Sequence, residues 1–126
     1  MSLIPEHLKY APSHVWAQLE ADNWVRVGIT DFAQSQLGDL VYVELPALGR
    51  RISAAESCAI IESVKSASDI SSPVSGEIVA INPSVVDDPQ RITDDAYGAW
   101  LFCVRADDLS ELDKLITSSA YQQMTA

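Results

Sequence analysis

The groups in this chain that could serve as amine, imidazole base or thiolate are few: Lys9, Lys65 and Lys114, His7 and His14, and Cys58 and Cys103. Both cysteines lie inside apolar runs, SCAII and AWLFCVR, where a small thiol packs as a hydrophobe, and they lack C-x-x-C spacing. The two histidines do not complete a Cys/His metal set with them, so neither a metal site nor a disulfide framework is expected. Lys65 differs from the other lysines in its surroundings. It has no basic neighbour within ten residues, follows directly on SCAIIESV and precedes Ser66-Ala67-Ser68. A primary amine on a protruding turn of small residues is reachable by a modifying enzyme. Position alone, however, favours a solvated turn lysine.

Lys65 is flanked by extended sequence. Ser57 to Val64 is apolar enough for a strand buried along most of its length, with Glu62 its one charged member. The chain becomes extended again from Ile70, and Gly76 precedes a strand over Glu77 to Asn82. The hairpin that carries Lys65 is therefore placed at about 57–82. Upstream, Val15 to Ala21 and Trp24 to Ile29 are β-prone runs joined at Asp22-Asn23, residues that tolerate positive φ. Thr30 can cap a short helix over DFAQSQL, and Gly38 can close it. Asp39 to Leu45 alternates in part, Leu40 and Tyr42 against Val41 and Val43. Residues 83–98 read mostly as loop with a turn or two of helix, and Ala99 to Arg105 as a last core strand. A helical segment is expected at about 107–124: Asp108 and Glu111 have capping-box spacing, and Leu109, Leu112, Leu115 and Ile116 share a face.

Gly38 to Glu44 and Gly76 to Asn82 match without a gap as Gly, acid, branched, Val, variable, Val or Ile, polar. Either this is chance, because such strings are cheap in β proteins, or two similar strand units pack about a pseudo-two-fold axis with Lys65 in the connection between them.

Length and an apolar content of 48% suit one domain over 1–126 with a real core. A net charge of −10, from 18 acids against 8 bases, repels nucleic-acid phosphates and anionic headgroups, so neither nucleic acid nor a membrane is an expected partner. The first residues have no apolar core of signal-peptide length and no Arg-rich amphipathic stretch, which points to a reducing cytoplasm.

Around Lys65 the sequence reads Glu62-Ser63-Val64-Lys65-Ser66-Ala67-Ser68-Asp69-Ile70, then Ser72-Pro73-Val74-Ser75-Gly76-Glu77-Ile78. This resembles the lipoylation segment of glycine cleavage system H proteins. The resemblance continues through Lys9-Tyr10-Ala11-Pro12-Ser13-His14 with Trp16, Val27-Gly28-Ile29-Thr30-Asp31, Leu37-Gly38-Asp39 with Val41 to Pro46, and Tyr97-Gly98 with Trp100-Leu101. It covers nearly the whole chain in the family's order.

The resemblance implies a mainly β fold of the lipoyl/biotinyl type. This is a flattened barrel-sandwich of two antiparallel sheets, with a short helix after the first hairpin and helices at the C-terminal end. It also implies lipoate in amide linkage to Lys65, an arm of roughly 14 Å if about eleven bonds each advance near 1.25 Å. The function implied is that of a carrier rather than an enzyme, with no catalytic residues of its own. The carrier takes the aminomethyl group of glycine from a pyridoxal-phosphate-dependent decarboxylase (P protein) and passes it to a tetrahydrofolate-dependent aminomethyltransferase (T protein). Dihydrolipoamide dehydrogenase (L protein) then reoxidises it, and lipoylating enzymes load it. By the same resemblance Glu62 and Gly76 are recognition points for lipoylation, the plainer alternatives being an edge carboxylate and a turn glycine. Ser13 and Asp69 line a cleft that parks the loaded arm, and His14 and Trp16 shape it or simply pack.

Val15 stands where the family usually has an acid, which leaves half of the expected electrostatic hold on the loaded amine. Phe32 replaces a common His, and Ala96 a Pro. Three rival readings are a lipoyl carrier or donor serving another pathway, a structural or interaction module, and a biotin carrier. The last normally carries Met-Lys-Met, against which Val64 and Ser66 argue.

Overall fold

A computed structural model describes residues 4–125, so residues 1–3 and 126 of the expected 1–126 unit lie outside the described residues. Two antiparallel sheets face a shared core. The larger holds β1 (Lys9–Ala11), β2 (Val15–Leu19), β3 (Trp24–Ile29), β5 (Arg51–Ile52), β8 (Gly76–Ile81) and β9 (Phe102–Ala106), in the order β1-β2-β3-β9-β8-β5. The smaller holds β4 (Leu40–Glu44), β6 (Ser57–Ser63) and β7 (Ala67–Ser71), in the order β4-β6-β7. Neither sheet closes on itself. Val25, Val27, Phe102 and Val104 from the larger sheet and Val43, Ala59, Ile61 and Ile70 from the smaller meet in one cluster. Burying these apolar side chains on two facing sheets is the main drive holding the layers together.

The first hairpin turns through Ala21–Asn23, with Asp22 at φ 60 and Asn23 at φ 63, the left-handed conformation that Asp and Asn tolerate. Helix α1 (Asp31–Leu37) follows. The Thr30 side chain accepts from the Ala33 N–H, and Gly38 ends the helix at φ 84. Helices α2 (Pro83–Asp87) and α3 (Gln90–Asp94) are short and each bury one residue, Val85 and Ile92, within the segment expected to be mostly loop. Asn82 caps α2 by accepting from the Ser84 N–H.

The C-terminal segment differs in detail from expectation. Leu109–Lys114 is a 3-10 helix rather than an α-helix. Asp108 caps it through the Ser110 N–H, but Glu111 does not reach back to complete a capping box. Its carboxylate instead accepts from the Ser75 N–H at 2.8 Å and approaches the Ser75 hydroxyl at 3.2 Å, tying the segment to the turn before β8. Leu109, Leu112 and Leu115 pack on the main core, whereas Ile116 turns to a second cluster with Tyr10, Trp16 and Tyr121. Tyr121 lies on α4 (Ser118–Thr125), its ring stacked on Tyr10 at 4.8 Å between centroids.

The hairpin carrying Lys65 is shorter than expected, because only β6 and β7 form it and β8 crosses to the other sheet. The two strings with matching sequence therefore lie one in each sheet. Each carries a bulge at the same place, between Leu40 and Tyr42 in β4 and between Ile78 and Ala80 in β8.

Candidate functional site

Lys65 is exposed at the tip between β6 and β7. The turn beneath it is organised by Ser63, whose buried hydroxyl accepts from the Lys65 N–H at 3.3 Å and the Ser66 N–H at 3.1 Å. The Ser63 N–H donates to the Ser66 carbonyl at 2.7 Å, and the Val64 N–H donates to the Asp39 carbonyl at 3.1 Å. These bonds fix the backbone at the tip and leave the lysine side chain to project. Its stem then lies against the corner between α1 and β4, where a Cβ on Gly38 would sit 3.3 Å from Lys65 Cε. Gly38 thus does two jobs. It takes the positive φ that ends α1, and it leaves space for the lysine.

One residue before Gly38 begins the wall of a cleft of about 280 Å³. Leu37, Ala33 and Phe32 of α1 form one side, Ile29 at the end of β3 the floor, Ser68 and Ile70 of β7 the other side, and Ser13 and His14 the far end. The lining is mostly apolar. Its size is near the lower end of small-ligand pockets and suits a small ring with a few methylenes.

His14 is in the left-handed region at φ 69 and its ring lies 4.9 Å from that of Phe32. Its Nδ1 is 2.8 Å from the Tyr121 hydroxyl, which in turn is 2.6 Å from the Thr30 hydroxyl. Burial pushes the imidazole pKa below its ordinary value, favouring the neutral ring. Burial also raises the Tyr121 phenol pKa, partly offset by the Thr30 hydrogen bond, and raises that of Tyr97 to about 12. With His14 neutral, one polarity satisfies every member: Ala33 N–H donates to Thr30, Thr30 to Tyr121, and Tyr121 to His14 Nδ1.

The other candidate residues are distributed as follows. Ser13 reaches the cleft, but Asp69 is exposed and one residue out of phase with Ser68 and Ile70, so strand alternation turns it to the opposite face of β7. The expected pairing of Ser13 with a cleft carboxylate at Asp69 is not assembled. Val15 is 1% exposed in the main core, opposite Ile29 across the β2–β3 pair. Trp16 is fully buried away from the cleft, donating to the Ala96 carbonyl at 3.2 Å, and thus packs rather than lines. Glu62 is exposed on the lysine's own hairpin, paired with Tyr42 of β4. Gly76 is buried in the larger sheet, where a Cβ would collide with the Arg105 carbonyl, so the backbone approaching it is the chain's own. Cys58 and Cys103 are buried free thiols. Burial pushes Cys58 up to about 11 and Cys103 in the same direction, so neither is a ready nucleophile.

Sequence reading missed Ser63 as organiser of the tip, Gly38 as the seat of the lysine stem and Tyr121 as partner of His14. The closeness of Gly38 to the tip had no local signal, and neither did a contact spanning residues 14 and 121.

The whole arrangement has close relatives. A family model described as Glycine cleavage H-protein matches residues 8–126. The chain belongs to the glycine cleavage H-protein family. A glycine cleavage system H protein from Methylococcus capsulatus is 57% identical over 122 residues, covering 97% of this chain and 96% of the relative. One from Burkholderia ambifaria is 52% identical over 124 residues, covering 98% of each. The crystal structure of a glycine cleavage system H protein from Mycobacterium marinum superposes with a TM-score of 0.88 at 43% identity, covering 95% of this chain and 97% of that one. The mainly β, two-sheet fold agrees with this membership, and among the described residues no helix is long and apolar enough to cross a membrane.

Proposed function

We propose that this H-protein family member carries lipoate in amide linkage on Lys65. It would act as a non-catalytic carrier, taking the aminomethyl group of glycine from the P protein to the T protein and then meeting the L protein for reoxidation. The observation that carries this reading is the path of the Lys65 stem over Gly38, one residue from Leu37 in the wall of an apolar cleft. The group itself would supply a dithiolane whose disulfide opens to accept and later release the cargo.

The chain's residues provide attachment, shelter and release. Ser63 holds the tip open so that a large enzyme reaches the amine. Ser68 in the cleft wall is three positions beyond Lys65, at most about 10 Å of chain, which a 14 Å arm spans. Ile29, Phe32, Leu37 and Ile70 shield whatever is parked there from water. Ser13, His14, Gln36 and Ser68 offer hydrogen bonds but no carboxylate, because the remaining lining, Phe32 included, is apolar and Asp69 faces away. Such a cleft holds an uncharged ring better than a cationic amine, and a weak hold suits a carrier that must give up its cargo. Glu62, exposed three residues before Lys65, remains the better placed of the two recognition points.

The test is direct. Protein isolated from lipoate-replete cells should carry a lipoyl adduct on the Lys65 peptide by intact mass and peptide mapping, and should support glycine–bicarbonate exchange with the three partner enzymes. Lys65→Arg should carry no adduct and support no exchange, since a guanidinium does not form the amide. An unmodified wild-type lysine in such cells removes the carrier reading. An adduct without exchange would assign the carrier to another lipoate-dependent pathway.

A further inference from the structure

Three exposed large apolar side chains gather beside Lys65: Val41 is 57% exposed, Tyr42 46% and Val64 71%. The register places them together. Leu40 faces Ser63, Tyr42 faces Glu62, and the Val64 N–H bonds to the carbonyl of Asp39. Glu62 is paired with Tyr42 and both are exposed, while Val64, the first residue past β6, is exposed where its N–H meets Asp39 just before β4. The bulge in β4 adds Val41. Strict alternation would expose only one of two neighbours, whereas the extra residue leaves Val41 and Tyr42 both outside and returns Val43 to the core. At the matching bulge in β8 the counterparts Val79 and Ala80 are half-buried, so the bulge alone does not require exposure. The apolar patch is rimmed by the exposed acids Asp39, Glu44 and Glu62, and Lys65 is the one base between Arg51 and Arg91.

We propose that this face, Val41 and Tyr42 of β4 with Val64 of the hairpin tip, is the docking surface for the enzyme that acylates Lys65. That partner would present an apolar contact ringed by basic side chains. The inference rests on the reading of Lys65 as the lipoyl attachment site. Geometry selects the occupant. An acylating enzyme must bring an activated carboxyl carbon to Nζ itself, at the end of a lysine stem of roughly 6 Å, so it is forced against the residues around the tip. An enzyme that uses the finished arm meets its far end, about 14 Å out, and is free to sit elsewhere. The patch is continuous with the lysine, and its acidic rim complements a basic partner. In the reaction, Nζ as the free amine forms an amide bond to the carboxyl carbon of a lipoyl adenylate. The bond from that carbon to the phosphate oxygen breaks, AMP leaves with the electron pair, and the amine proton passes to solvent.

The experiment uses the full-length unmodified protein with a lipoate–protein ligase, lipoic acid, ATP and Mg²⁺, and reads acylation by intact mass as a function of carrier concentration. Val41→Asp and Val64→Asp should each raise KM roughly ten-fold or more with kcat held, the size of loss found at central contacts of an interface. Leu48→Asp, at a 61% exposed site after β4, should behave as wild type. Val41→Ser and Val64→Ser remove the apolar contact without adding charge and guard against misfolding. They should show the same KM effect, reduced in size, with wild-type melting temperatures. Unchanged KM in the Ser and Asp variants, or a loss confined to kcat, overturns the docking assignment. A wild-type chain that is not acylated at all overturns the reading of Lys65 instead.

Discussion

His14 illustrates how one buried polarity ties a residue's charge to the fold around it. With the ring neutral, every donor from Ala33 to Tyr121 finds an acceptor. Protonation makes Nδ1 a donor, reverses Tyr121 toward Thr30 and leaves the buried Thr30 hydroxyl proton without a partner. Because burial lowers the folded-state pKa below its unfolded value, the associated stability is fully present above the unfolded value near 6.5 and is lost as pH falls through the folded pKa. The melting temperature of wild-type protein should therefore fall between pH 7 and pH 5, and that of His14→Gln should fall less over the same interval. Parallel curves would show that His14 is not the group responsible. Glu56 and Asp108, lowered by hydrogen bonds from Ser53 and from Ser110 respectively, act in the more acidic range below this window. At the same scale, Val15 has a packing role rather than a place in the electrostatic hold on the amine. Its side chain belongs to the core beside the cleft floor, where a carboxylate would have to be desolvated.

At the scale of elements, the first hairpin depends on a close approach that no pattern of hydrophobicity announces. Gly28 faces Trp16 across the β2–β3 pair, and a Cβ there would lie 2.6 Å from three atoms of the indole. Trp16 is thereby laid flat across the strand and made free to donate to Ala96. Gly28→Ala should displace the ring and cost about 1–3 kcal/mol, read as a fall in melting temperature of roughly 3–5 °C per kcal/mol with the far-ultraviolet spectrum unchanged. An undiminished melting temperature would mean that the indole moves aside freely. The strands themselves were readable, since β2, β3, β6 and β8 are apolar runs bounded by turn residues. The strand expected over Ala99 to Arg105 begins instead at Phe102: Ala99 donates its N–H back to Asp95, and Leu101, bonded to Val27 of β3, stands just ahead of the ladder.

Over the whole molecule, the C-terminal helix joins the two ends of the chain. Tyr121 stacks on Tyr10 of β1 and bonds to Thr30 at the head of α1, so α4 braces β1 and the helix that borders the cleft. Tyr121→Phe keeps the stack and removes the hydroxyl, leaving the buried Thr30 hydroxyl proton without an acceptor. The expected cost is about 1–3 kcal/mol by thermal or denaturant unfolding, and no loss would show that Thr30 is satisfied by its cap alone. The sequence by itself determined the β class, the capped helix after Thr30, the burial of both cysteines and an isolated amine on a turn. Each of these follows from periodicity, turn chemistry or composition, which act over a few neighbouring residues. Its internal echo also held physical meaning, with matching bulges in opposite sheets. Tertiary structure alone decided that β8 leaves the lysine hairpin, that Asp69 faces away while Ser68 and Ile70 face the cleft, and that Lys65 lies over Gly38. Those outcomes depend on which sheet a strand joins and which of its two faces meets the core, choices made by contacts between residues far apart in the chain.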